Sequence, residues 1–358
     1  MKLLLVAINA KYIHSNLAVY SLKSYAGEYS KYIEIAEYTV NQSNEEVLKG
    51  IYRSGADIVA FSCYIWNIGM VKRIMPELKK VSPRVKIWLG GPEVSYDAEK
   101  FLLQNPAADG IITGEGEQTF LELVRFYADG NMRLEDIAGL VYKAAAESNR
   151  DNNEPGSDRI RIVSTGARKL LSMDSLPFAY EAIFQTPGIL DNRIIYYESS
   201  RGCPFSCSYC LSSIDKRLRF RDIIRVKNEL KAFMDHKVAQ VKFVDRTFNC
   251  NKNHAMEIWN FIKQHDNGIT NFHFEISADL LDSEALELLT SLRPGQVQFE
   301  IGVQSINPDT LKAIHRKMDL DRLYENVRKL REGGNIHLHL DLIAGLPMED
   351  YASFEKSF

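Results

Sequence analysis

Long apolar runs are missing from this 358-residue chain. None approaches the roughly 18 residues that an ordinary membrane-spanning helix needs, so the chain is expected to be cytoplasmic and without a membrane partner. The opening MKLLLVAINA has a single positive charge, Lys2, and runs straight into polar KYIHSN, which reads as a buried first strand rather than a secretory leader. Net charge is nearly absent too, since 44 Lys and Arg stand against 47 Asp and Glu. With no global field and no basic patch interleaved with aromatics, nucleic acid is not an expected partner. Cysteine is scarce: five residues, an odd number and mostly clustered. That excludes the paired framework of a small secreted domain and leaves reduced thiols available for metal.

What is present is ordinary globular composition, 45% apolar and 25% charged, in a chain long enough for two domains. Up to about residue 135, short apolar runs alternate with helical patterns: KLLLVAI, YIEIAEY, DIVAFS, VKIWLG and DGIITG. Near-continuous apolar strands separated by helices predict an α/β domain, a doubly wound parallel sheet covered on both faces. Ligands of such sheets sit at the carboxyl ends of the strands. Those ends carry the segment from Asn9 to Asn16, SCYIW from Ser62, GGPE from Gly90 and Gly91, and GEGE from Gly114 and Glu115. Residues 136–190 read as a hairpin and linker, with GLVYK and RIRIVS flanking a polar turn too hydrophilic to build a core. From 191 to 358 the rhythm returns in IIYYES, VKFVD, FHFEIS, VQFEIGV and IHLHLDLIAG, which predicts a partial (β/α) barrel. The final DYASFEKSF starts another helix, so the barrel is expected to be incomplete at its C-terminal end.

The stretch RGCPFSCSYC places Cys203, Cys207 and Cys210 within eight positions. Structural zinc takes four protein ligands, and only three are local. The other cysteines, Cys63 and Cys250, sit in no CxxC motif. A disulfide redox site would use Cys207 and Cys210 and leave Cys203 surplus. A cubane iron–sulfur cluster held by three thiolates leaves one iron open to a small molecule.

CxxxCxxC after a strand, with Gly202 before it and Tyr209 inside it, strongly resembles the signature of the radical S-adenosylmethionine (SAM) enzymes. The resemblance implies a 4Fe-4S cluster on Cys203, Cys207 and Cys210 and reductive cleavage of bound SAM to a 5′-deoxyadenosyl radical. It also implies an electron donor such as flavodoxin or ferredoxin. IGVQS and LIAGLP resemble strand ends of the branch that includes oxygen-independent coproporphyrinogen oxidases and methylthiotransferases. On that pattern Asp245 would hold the SAM amino group, Glu275 the ribose hydroxyls, Gln304 and Ser305 polar groups of SAM or substrate, Arg316 the carboxylate, and Gly345 would lie against adenine. A barrel-interior acid remains an equal reading of Glu275, and a solvated helix arginine an equal reading of Arg316. His315, His337 and His339 read as core or surface residues.

The first domain, with GGPE and GEGEQTF, resembles the cobalamin-binding domain of cobalamin-dependent radical SAM enzymes. That resemblance implies cobalamin near Asn9, Ser62, Gly90, Gly91, Gly114 and Glu115; the alternative is that the glycines only make tight turns. No AspxHisxxGly motif supplies a lower cobalt ligand, and His14 reads as a loop residue. The rival methylthiotransferases carry three further cysteines in this domain, where only Cys63 is found. The expectation is SAM cleavage with cobalamin-dependent methylation of an unactivated carbon in a small molecule. A radical SAM enzyme without cobalamin and a non-enzymatic iron–sulfur sensor are the alternatives.

Overall fold

The computed structural model describes residues 1–145, 160–186, 188–214 and 216–358. They form two compact units, Met1–Leu171 with Leu176–Gln185, and Ser172–Ser175 with Thr186–Phe358.

In the first unit the strands are β1 (Leu3–Asn9), β2 (Ile33–Thr39), β3 (Ile58–Ser62), β4 (Lys86–Gly90), β5 (Gly110–Ile112), β6 (Leu140–Ala145) and β7 (Ile160–Ser164). Their order is β2-β1-β3-β4-β5-β6-β7. Pairing is parallel through β5, with Leu5 opposite both Ile35 and Ala60. Every residue of β1 is buried, which is why its sequence is nearly all apolar: it lies between two strands and under helices on both faces. The helices are α1 (Leu17–Tyr25), α2 (Asn44–Arg53), α3 (Ile68–Val81), α4 (Pro92–Ser95), α5 (Ala98–Gln104) and α6 (Glu117–Asp129). A capping box between Ser43 and Glu46 starts α2, and its Val47 and Ile51 join Val71 and Ile74 of α3 against Val6, Phe61 and Leu89 of the sheet. Each such side chain contributes about 1.5–3 kcal/mol by leaving water.

The hairpin that the sequence places between the domains continues this sheet. Ile111 pairs antiparallel with Val141, and Tyr142 with Val163. Val141 and Tyr142 are buried, so the hairpin covers an edge that β5 would otherwise expose. The polar turn at 146–158 lies outside the described residues.

The second unit holds β8 (Ile194–Tyr197), a short antiparallel ribbon of β9 (Ser200–Arg201) and β10 (Arg219–Phe220), then β11 (Gln240–Phe243), β12 (Asn271–Ile276), β13 (Val297–Gln304) and β14 (His337–Leu342). The five long strands are parallel and follow chain order, β8-β11-β12-β13-β14, as in an open (β/α) barrel. Helices α7 (Ile223–Asp235), α8 (Lys252–Gln264), α9 (Ser283–Thr290), α10 (Pro308–Ala313), α11 (Leu320–Gly333) and α12 (Tyr351–Ser357) complete the unit. Asp222, Asn251, Asp282 and Asp319 cap α7, α8, α9 and α11, each side chain accepting from a first-turn amide. Burial alternates strictly along β12 and β13. Phe272, Phe274 and Phe299 are buried on one face, where Phe274 packs 4.3 Å from the Phe248 ring and 6.3 Å from Trp259. The other face carries His273, Glu275, Gln298 and Glu300, so the second face of these strands is polar.

Candidate functional site

The cysteine loop leaves the ribbon through Gly202. Its φ is +95°, and a Cβ there would lie 2.4 Å from the Arg217 carbonyl oxygen, so only glycine fits. Cys203 and Cys207 are buried, Cys210 is half-buried, and all five cysteines of the chain are free thiols. The three loop thiols line one cavity of about 250 Å³, together with Tyr209, Thr247 and groups from the carboxyl ends of the barrel strands. Cys63 and Cys250 are not in its wall. Burial pushes the Cys63 thiol up to about 12 and that of Cys250 up to about 11, the latter helped by the neighbouring Cys203. Among the described residues no three His, Cys, Asp or Glu side chains converge as the site of a single metal ion. A zinc site would demand that convergence, at about 2.3 Å from each sulfur, whereas a multi-iron cluster accepts a wider triangle.

Three of the six residues expected to hold SAM reach this cavity: Glu275, Gln304 and Arg316. Arg316 Nη1 lies 3.8 Å from Cys207 Sγ, Nη2 donates to the Gly302 carbonyl, and Nε is buried with no hydrogen-bond partner. A guanidinium beside a thiol with a donor left over fits an absent anionic group. Gln304 adopts φ +72° at a register shift between Gly302 and Gln304. Burial raises the Glu275 carboxyl, against the lowering pull of Lys242 3.7 Å away.

The other three do not line the cavity. Ser305 is fully buried and donates to Glu349 at 2.5 Å. Gly345, at φ +83°, turns the chain after β14. Asp245 is 1% exposed and faces the strand-to-loop joint, accepting from Ser199 N at 3.0 Å, Ser199 Oγ at 2.7 Å and Ser200 Oγ at 2.6 Å. It is outside the cavity wall and three of its acceptor sites are taken by the preceding loop, so the structure does not bring it together with Glu275, Gln304 and Arg316. His315, His337 and His339 are exposed.

Arg246, Lys317, Glu300 and Asp341 also line the cavity and were not singled out from the sequence. Lys242 donates to Glu300 at 2.7 Å, and His273 Nε2 lies 3.2 Å from the same carboxylate. With His273 the larger cause, the pair holds the Glu300 carboxyl down at about 2. For Glu300 the available signal was the polar residue at every second position of FHFEIS and VQFE, a polar face on strands whose other face is all apolar.

Ser199 Oγ also lies 3.0 Å from His254 Nε2. Burial pushes the His254 imidazole down from 6.5 to about 4. The unfolded chain thus binds this proton more readily than the folded one, so the stability involved is complete above pH 6.5 and is lost as pH falls toward about 4, by up to ~3 kcal/mol. His254→Gln, which keeps a donor for Ser199, is expected to flatten this part of the pH profile in urea denaturation. A slope as steep as the wild type's would count against His254 as its source.

In the first unit, all six residues expected near cobalamin lie at or just beyond carboxyl ends of parallel strands. Asn9 is buried and committed locally, donating at 3.0 Å to both the His14 carbonyl and Glu37. The Ser62 carbonyl accepts from Asn67, and that of Gly90 from the Cys63 amide at 2.7 Å. Glu115 accepts from the Leu171 amide at 3.4 Å. Gly91, at φ +112°, faces its own chain, because a Cβ would stand 2.4 Å from the Cys63 carbonyl oxygen. Gly114, at φ +70°, has nothing within 4 Å of that position. The SCYIW segment after β3 presents an apolar surface: Tyr64 and Trp66 stack at 4.5 Å and 5°, with Ile65 77% exposed and Trp66 47% exposed.

Comparison with known proteins assigns both units. The family model of the B12 binding domain matches residues 3–124, and that of the radical SAM superfamily matches residues 197–358. The chain belongs to the radical SAM proteins with a cobalamin-binding domain. This radical SAM protein is 27% identical over 344 residues to the cobalamin-dependent radical SAM methyltransferase TokK of Streptomyces tokunonensis, with 87% of the chain and 45% of TokK covered. It is 28% identical over 315 residues to the uncharacterized methyltransferase PH0819 of Pyrococcus horikoshii, covering 87% of the chain and 65% of that protein. The chain thus spans about half to two thirds of the length of these relatives. Among solved structures, the cobalamin-dependent radical enzyme OxsB with aqua-cobalamin and SAM bound shares the fold at a TM-score of 0.73 and 17% identity, over 99% of this chain and 51% of OxsB. The methyltransferase TsrM from Kitasatospora setae, with cobalamin and a 4Fe-4S cluster bound, matches at 0.71 and 17%, over 100% of this chain and 69% of TsrM. No helix among the described residues is long and apolar enough to cross a membrane.

Proposed function

We propose that this chain binds a 4Fe-4S cluster, SAM and cobalamin, and methylates an unactivated carbon of a small molecule. The observation that carries the reading is the trio of free thiols around one cavity, with the Arg316 guanidinium beside Cys207 and its Nε unpartnered. Cys203, Cys207 and Cys210 would be the cluster ligands. When bound, the cluster supplies the electron that cleaves SAM, and the corrin carries the methyl group. Arg316 offers a donor fork to a carboxylate, and Gln304 adds a neutral polar group to the wall. Glu275, whose carboxyl burial raises against the lowering pull of Lys242, offers two acceptor oxygens to a pair of hydroxyls. The Tyr64–Trp66 stack and the open backbone at Gly114 give a large flat ligand an apolar resting face in residues 1–135, while the cluster and SAM would occupy residues 191–358. Electrons would come from a flavodoxin or ferredoxin.

Ring closure is the second reading, favoured by 23% identity over 342 residues to the anaerobic magnesium-protoporphyrin IX monomethyl ester cyclase of Rubrivivax gelatinosus. Anaerobically reconstituted protein given SAM and dithionite is expected to release 5′-deoxyadenosine, and protein made with cobalamin to carry a corrin absorbance. Zinc in place of iron, or a cluster spectrum indifferent to SAM, would overturn the proposal.

A further inference from the structure

We propose that Asp245 is a positioning residue that sets the three-cysteine loop in place before any cluster is loaded, acting through Ser199, Ser200 and His254. The inference rests on the cluster reading above. The loop starts at Ser199, four residues before Cys203, and is tied on one side by the Arg221 amide donating to the Ser199 carbonyl at 2.8 Å. Ser200 and Arg201 pair with Phe220 and Arg219 in the ribbon, and the amide and two hydroxyls at this root converge on a single carboxylate. Asp245 Oδ2 takes the Ser199 amide, and Oδ1 takes both hydroxyls.

The protons of this cluster can be counted. Ser199 Oγ spends its only hydrogen on Asp245, so at 3.0 Å it must accept from His254, which therefore carries its proton on Nε2. Amide, two hydroxyls and imidazole thus define one arrangement of the backbone from 199 to 200, and slipping it by a residue would leave a buried charge without donors. Two positions beyond the carboxylate, Thr247 Oγ1 lies 4.0 Å from Cys203 Sγ, so the same segment also backs the first thiol. Burying a carboxylate costs free energy that an apolar packing would not, and its placement at the root of the loop matches a role in fixing geometry.

Asp245→Asn keeps the shape but faces an amide NH2 toward donors on one side. In metal-free protein well below its melting temperature, hydrogen exchange of residues 198–210 is expected to accelerate about tenfold or more, the loss of one charge-assisted hydrogen bond, while β12 stays protected. After anaerobic reconstitution the variant is expected to hold several-fold less iron per chain and to lose it faster. Asn335→Ala is the control: it removes two bonds, to the Leu289 and Leu292 carbonyls at 2.9 Å, at the amino end of β14. It should lower the melting temperature without either effect. If Asp245→Asn does not fold, Ser200→Ala removes one donor only and is read in the same way. Unchanged protection of 198–210 overturns the proposal whatever the iron content. Wild-type protein that takes up no four-iron cluster overturns the cluster reading instead, and the exchange measurement still decides the lock.

Discussion

Cys207→Ala is expected to abolish SAM cleavage, lowering 5′-deoxyadenosine formation by more than about 10³-fold, equivalent to over ~4 kcal/mol of barrier. The trio has no spare: with Cys207 gone, the cavity keeps two thiols, and the fourth iron corner belongs to SAM in the proposed arrangement. Iron per chain and the cluster's absorbance should fall in parallel with activity, and Cys203→Ala and Cys210→Ala should match. Cys250→Ala is the informative comparison, because Cys250 is near enough to raise its own thiol through Cys203 yet lies outside the cavity wall. Its iron content is expected to stay within about twofold of wild type, since a thiol that resists ionisation is a poor ligand. Iron lost equally on replacing Cys250 would show that the ligand set has been misassigned.

The contrast between these cysteines marks what the sequence made legible. Three thiols at fixed spacing after a strand carry their chemistry in local order, and so do apolar runs such as KLLLVAI, buried along their whole length. The surroundings of Asp245 were illegible for the opposite reason. A carboxylate after a strand can turn to the cavity or to the preceding loop, and the choice depends on Ser199 and Ser200, some 45 positions away. The same holds for Lys242 between Glu275 and Glu300: Glu275 reads as a ribose acceptor or a barrel-interior acid, and only the register that puts it opposite Glu300 shows that the two share one lysine. The hairpin over 140–164 was legible as a hairpin. Its partner, β5, is three residues long and gives no hint that its edge is to be covered.

Gly91→Val is expected to destabilise the first unit by about 3 kcal/mol or more and to abolish cobalamin retention. The backbone there has φ +112° and ψ 173°, a region open essentially to glycine alone. A side chain would also meet the Cys63 carbonyl oxygen at 2.4 Å and its amide nitrogen at 3.1 Å, and neither can move without breaking the bond from the Cys63 amide to Gly90. The sequence reading treated the paired glycines as a place where backbone approaches a corrin; at Gly91 the close approach is to the chain itself. Gly114 is the position where that reading can still hold, since its φ of +70° tolerates Asn and the space beyond is open. Gly114→Asn is therefore expected to cost under about 1 kcal/mol in urea denaturation, with any loss of corrin absorbance reporting contact rather than unfolding. Stability and cobalamin should fall together in Gly91→Val and separate in Gly114→Asn; equal stability losses in the two variants would mean that neither glycine distinguishes turn from ligand.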